Sequence, residues 1–297
     1  MSARDPRLSK PSSKAGRTQR VVLDLLREHK EAEGGIPTNL RFIFYELEQV
    51  GLACKPSPDD GRRNRRRSVG WPPGSQDLTD ALTHLREEAV IPWSWIVDET
   101  RRLDVWAYSP SVAEYLRDRL EEATISPWGD EPPPLILCES KATAGVLRAI
   151  VSPYCCPIAG TGGQVGGFLR TVIAPLLGAP GFRRVLYLGD LDRSGADIEA
   201  NTRRVLEREA GRELDWTRLG LTEEQAQERG ITPIWKVDGR DRKGHWATEV
   251  ESLGQAGVVH LVRDALDALL PEPLVRVQER EDAEREVVRT LLDGASA

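Results

Sequence analysis

RRVLYLGDLDRSGADI, residues 183–198, reads as a strand that ends in acids and turns directly into a helix. Five of the seven residues from Arg183 to Gly189 are apolar or glycine, the composition of a strand buried on both faces. Asp190 and Asp192 follow at once. In an extended segment, residues two apart point the same way, so both carboxylates can converge on one cation. Gly195 allows the next helix to begin close by.

Upstream, PLILCES (134–140) is a second short apolar run that ends in an acid, Glu139. KATAGVLRAIV has helical spacing, CCPIAG reads as a strand, and GQVGGFLRTVIAPLL is helical again. Strands alternating with helices predict an α/β fold, a Rossmann-like parallel sheet covered on both faces. If the two acid-ended strands are neighbours, Glu139, Asp190 and Asp192 meet at the carboxyl edge of the sheet, where such folds bind ligands. Three close carboxylates repel unless a cation neutralises them, and hard oxygen donors suit Mg²⁺. The competing reading of the D-x-D pair is a cap on the helix beginning near Ser194. The glycines at 160–167 lack the G-K-[ST] ending of a nucleotide-binding loop.

After Gly211 the pattern weakens. ITPIWKVD suggests one more strand, and 256–270 and 277–293 suggest helices. Glu249 and Glu251, near His245, read as ordinary surface acids rather than a late contribution to the cation site.

The front of the chain differs in charge. Residues 1–70 carry a balance of +6 and the remainder −12, as expected of a DNA-binding module joined to a metal-binding one. Residues 1–16 read as a flexible tail, and 17–109 as a helical, winged-helix-like unit. Its helices start at Arg17, at Thr38 acting as a cap, and at residue 76, with a short strand at 91–97. Between them, Arg62, Arg63, Arg65, Arg66 and Arg67 cluster in a loop that suits phosphate contacts without sequence preference. A helix and a Pro-rich linker occupy 110–133, and the metal-binding domain with its C-terminal helices occupies 134–297. No run of about 18 apolar residues occurs, and the polar, basic N-terminus lacks a signal-peptide core, so a cytoplasmic protein is expected. Cys54, Cys138, Cys155 and Cys156 have no zinc-like spacing.

The pattern of an acid after one strand and G-D-x-D-x-x-G-x-x-I after a later one resembles a Toprim domain. Its form resembles the A subunit of type IIB (type VI) DNA topoisomerases and the related meiotic double-strand-break transesterase, most of all compact, free-standing Mini-A-type members. RLGLTEEQAQERGITPIWKVD resembles the segment that follows in that family, and RFIFYELEQVGL supplies Arg41, Phe44 and Tyr45 in its R-x-x-[FY]-Y pattern. The resemblance implies that Tyr45 attacks a DNA phosphodiester. It also implies that the tyrosine of one subunit meets the metal site of the other, hence a homodimer on double-stranded DNA, with a separate ATPase B-type subunit as a further partner. Arg41, one helical turn before Tyr45, is placed to contact the scissile phosphate. Two other activities use the same acids: a hydrolytic Toprim nuclease that dispenses with Tyr45, and a non-catalytic, metal-assisted DNA-binding protein.

Overall fold

A computed structural model describes residues 5–54, 71–97, 109–162, 167–178, 183–237 and 244–294. The arginine cluster at 62–67 lies outside these residues.

The front unit is built on three helices, α1 (Lys14–Glu31), α2 (Leu40–Gln49) and α3 (Ser75–Glu87). Val22, Leu23 and Leu26 of α1 pack with Ile43, Phe44 and Leu47 of α2 and with Leu78, Leu82 and Leu85 of α3. Residues 5–13 are tied to this unit rather than loose. Arg7 Nη1 donates to the Ala89 carbonyl at 2.9 Å, and the Ser9 N–H donates to Gln19 Oε1 at 2.8 Å. The cap of α2 is Asn39, one residue beyond the expected Thr38, and its side chain accepts from the N–H groups of Arg41 and Phe42. Thr38 instead forms an isolated parallel bridge with Ile96. That bridge is all that remains of the strand expected at 91–97, because Trp93–Trp95 winds into a 3₁₀ turn. Pro92, which has no N–H to give a ladder, precedes the turn.

The rest is α/β. Strands β1 (Leu135–Cys138), β2 (Ile158–Gly160), β3 (Arg184–Leu188) and β4 (Asp215–Gly220) form a parallel sheet in the order β2-β1-β3-β4. Alternate residues face opposite sides, as a period of two requires. Leu135, Leu137, Val185 and Tyr187 enter one core, against α6 (Ala174–Gly178) and α7 (Arg193–Ala210). Ile136, Cys138, Leu186 and Leu188 enter the other, against α5 (Lys141–Val151) and α9 (Gln255–Leu269). Phe42 of α2 belongs to this second core while its neighbours Ile43 to Tyr45 belong to the helical one. Helix α2 is therefore wedged between the two units, and this fixes where Arg41 and Tyr45 point.

β4 was not legible in the sequence, and ITPIWKVD does not extend the parallel sheet. β5 (Ile234–Val237) pairs antiparallel with β6 (Gly244–Ala247) as a separate ribbon. Helices α4 (Val112–Arg119), α8 (Glu223–Glu228) and α10 (Leu274–Gly294) complete the chain. Among the described residues, no helix is long and apolar enough to cross a membrane.

Candidate metal centre

The sheet runs from β1 to β2 on one side and then returns to β3 on the other. The crevice between β1 and β3 is the reversal point at which open α/β sheets bind ligands. Glu139 and Asp190 leave the ends of those two strands side by side, and the Asp190 N–H donates to Glu139 Oε2 at 3.2 Å. Asp190 and Gly195 sit as the sequence requires. A Cβ on Gly195 would lie 2.4 Å from the Asp190 carbonyl oxygen, so only glycine lets α7 start there.

The loop after β3 is then stitched to the segment after β6. Leu191 and Thr248 exchange both backbone hydrogen bonds, at 2.8 and 3.1 Å. The Val250 N–H donates to Asp190 Oδ1 at 3.1 Å. These bonds bring Glu249 and Glu251 to the site. Oxygens of Asp190, Glu249 and Glu251 all lie within 4.8 Å of one another. The three residues are 8%, 3% and 0% exposed, so the expectation that Glu249 and Glu251 are surface acids is overturned. They lie on a buried 3₁₀ turn, Val250–Leu253, and just before it.

Asp192 is used differently. Its Oδ1 accepts from the Gly195 N–H at 2.6 Å and caps α7, as the competing reading of the D-x-D pair holds. Its Oδ2 lies 3.6 Å from His245 Nε2. The converging trio is thus Asp190 with two acids from far along the chain, with Glu139 bonded beside them.

Helix α2 covers this cluster. Tyr45 Oη donates to Glu249 Oε1 at 2.6 Å. Arg41 Nε donates to Glu251 Oε1 at 2.7 Å, and Arg41 Nη2 donates to Glu249 Oε2 at 2.7 Å. Thr143 Oγ1 donates to Glu251 Oε1 at 2.8 Å. Tyr45 therefore meets the acids of its own chain, whereas the resemblance places it against a partner's. The cause is local. Asn39 Nδ2 donates to the Ala142 carbonyl at 2.9 Å, and the Gln255 N–H donates to Glu46 Oε1 at 2.8 Å. These two bonds clamp α2 at both ends to the α/β unit.

The electrostatics follow from this packing. Burial pushes the Tyr45 phenol well above its ordinary value, and the charge of Glu249 and its hydrogen bond push the same way. Burial opposes the charge on Arg41, but Glu251 and then Glu249 outweigh it and hold the guanidinium above its usual range. A phenol whose folded pKa is raised stabilises the fold fully below its unfolded value of about 10, and that contribution is lost as pH rises beyond it. Thermal unfolding followed from pH 8 to 11.5 is expected to show stability falling above about pH 10. The fall should be shallower in Tyr45→Phe, and equal slopes in the two proteins would refute this assignment.

As carboxylates, Asp190, Glu249 and Glu251 exceed the charge of Arg41 by that of one divalent cation. Their donor set is all oxygen, which suits Mg²⁺ or Mn²⁺ and not a thiolate-seeking metal. Cys138, which precedes Glu139, is fully buried, and burial and then the charge of Glu251 push its thiol up, while burial pushes Cys156 up to about 12, so neither offers a thiolate.

Fold and site together define an α/β protein with a buried acidic cluster, able to hold a metal ion, at the carboxyl edge of a parallel sheet, covered by a tyrosine and an arginine. No family model, curated protein or solved structure matches the chain.

Proposed function

We propose that this protein is a Mg²⁺-dependent, topoisomerase-like transesterase that cleaves DNA with Tyr45 as the nucleophile. The observation that carries the reading is the 2.6 Å hydrogen bond from Tyr45 to Glu249, which joins residues 204 apart in sequence. A tyrosine hydroxyl and an acid cluster fit for Mg²⁺ share one site, although they come from different units of the chain. Asp190, Glu249 and Glu251 would hold the ion, with Glu139 beside them. The ion would supply charge neutralisation at a phosphate and at the departing sugar oxygen. Arg41, which already presents a fork to two carboxylates, has the geometry to grip phosphate oxygens in their place. Asp192 holds the start of α7 and keeps the Asp190 loop in shape. In Toprim terms the α/β unit is the metal-binding domain and the three helices are a winged-helix partner. Double-strand cleavage needs two such sites, which a homodimer would provide.

One observation favours hydrolysis instead. Tyr45 is only 5% exposed and its hydroxyl is bonded to Glu249, so it must leave that partner before it can attack, whereas a water on the ion needs no such exchange; either route requires α2 to shift and admit the phosphate. The products separate the two readings. Supercoiled plasmid is incubated with Mg²⁺ or Mn²⁺ and run on gels with and without protease digestion. Transesterification leaves cut DNA that enters the gel only after digestion, and Tyr45→Phe and Asp190→Ala are both inactive. Hydrolysis leaves free ends, and Tyr45→Phe still cuts while Asp190→Ala does not. Intact plasmid in every lane would mark a metal-assisted binding protein.

A further inference from the structure

The loop that carries Asp190 is held from below by a residue that the sequence does not advertise. Arg218, on the edge strand β4, reaches across the end of β3. Its Nη2 donates to the carbonyls of Gly189 and Asp190, at 2.9 and 2.7 Å. Its Nε donates to the Leu221 carbonyl at 2.9 Å, and its Nη1 is paired with Glu199 of α7. Glu199 is itself fixed, since its Oε1 accepts from Trp216 Nε1 at 2.8 Å. The guanidinium also lies over the Tyr187 ring, 5.8 Å from its centroid. Tyr187 in turn leaves room for nothing larger than glycine at 189, where a Cβ would stand 2.6 Å from the ring.

We infer that Arg218 is a positioning residue for the cation site: its Nη2 holds the carbonyls on either side of the Asp190 Cα, the backbone that presents the carboxylate. The inference rests on the cation-site reading above. Nη2 alone bonds both loop carbonyls, while Nε on the Leu221 carbonyl and Nη1 on Glu199 fix the plane of the guanidinium, and a lysine ammonium has no such plane to fix. The side chain is 22% exposed and Glu199 17%, so solvent competes little for these bonds. Outer-shell groups of this kind typically alter metal affinity about 10–100-fold when removed.

The test compares wild type with Arg218→Met and Arg218→Lys, and with Arg184→Met as the control. Arg184 pairs with Asp215 at the far end of the same strands, 42% exposed. Two readouts are taken: Mn²⁺ affinity by titration calorimetry, and amide hydrogen exchange at 189–191 in the metal-free protein. Arg218→Met should weaken Mn²⁺ by about tenfold or more and speed exchange at Gly189 and Leu191, without rescue by lysine. Arg184→Met should change neither. Unchanged affinity and exchange in Arg218→Met would overturn the inference. So would a loss of thermal stability with affinity and local exchange preserved, because that is the signature of a purely structural arginine. If wild type takes up no Mn²⁺, the cation site falls. Exchange then still decides: faster exchange at 189–191 keeps Arg218 as the anchor of the loop, and unchanged exchange removes it.

Discussion

Arg41→Met is expected to be among the most damaging single substitutions at the joint between the two units, and the damage should be reversed by divalent cations. Glu251 is fully buried and Glu249 nearly so, and Arg41 is bonded to both. Removing one partner of a buried ion pair costs about 3–5 kcal/mol, because the remaining charge is left without compensation. The Arg41 side chain is 41% exposed, so water moderates the loss, and about 3 kcal/mol is the appropriate scale. For a chain of this length that is a fall in melting temperature of roughly 6 °C. Mg²⁺ or Mn²⁺ should then raise the melting temperature of the variant more than that of wild type, because the cation meets acids no longer engaged by the guanidinium. A second substitution sharpens the result. In Arg41→Met/Glu251→Leu the fully buried charge and its partner disappear together, and part of the stability should return, Glu249 having lost the guanidinium but kept its bond from Tyr45. Calorimetric scans of wild type, Arg41→Met, Glu251→Leu and the double variant, with and without Mn²⁺, give the coupling directly. A loss for Arg41→Met below about 1 kcal/mol, with no additional gain from Mn²⁺, would show that the pair is a surface contact of little weight.

The sequence exposes those parts of the site whose residues lie where strong local patterns end. β1 and β3 are apolar runs, each is followed by an acid, and the helices after them begin within a few residues. Two acid-ended strands bring Glu139 and Asp190 together only if the strands are neighbours, and the pairing of β1 with β3 supplies that condition. β4 has no such pattern. Its residues DWTRLG alternate in exposure at the sheet edge, and two of the six are charged. Arg218 has no sequence signal of its role because most of its partners are main-chain carbonyls, and those leave no mark in a sequence. Glu249 and Glu251 were misread for a related reason. They do not end a buried parallel strand; they follow a two-stranded ribbon, and the Leu191–Thr248 bridge brings them in. A signal was present all the same: the E-x-E spacing repeats the D-x-D spacing, and it precedes an apolar helix. Asp192 shows the reverse case, an acid in the expected place with one oxygen on the N–H of Gly195 and the other beside His245.

Asp190→Asn should separate stability from function, raising the first while abolishing the second. The Asp190 carboxylate has oxygens within 4.8 Å of those of Glu249 and Glu251, and the residue is 8% exposed. At that separation two like charges cost about 3 kcal/mol at an effective dielectric near 20, and Arg41 offsets part of this. The amide keeps an acceptor for the Val250 N–H, so the backbone link need not be lost. The metal-free variant should therefore be more stable than wild type, by about 1 kcal/mol, or roughly 2 °C in melting temperature. Cation affinity moves the other way, because one of three charged donors is gone and an amide oxygen binds Mg²⁺ more weakly. If cleavage depends on the ion, the loss of several kcal/mol of charge stabilisation lowers the rate about a thousandfold. A gain in stability with a loss of Mn²⁺ binding is what a site strained for function predicts, since the cost of crowding three acids is otherwise unrewarded. Lower stability together with unchanged Mn²⁺ binding would mean that Asp190 serves only to anchor Val250, and the metal-dependent reading of the cluster would fail with it.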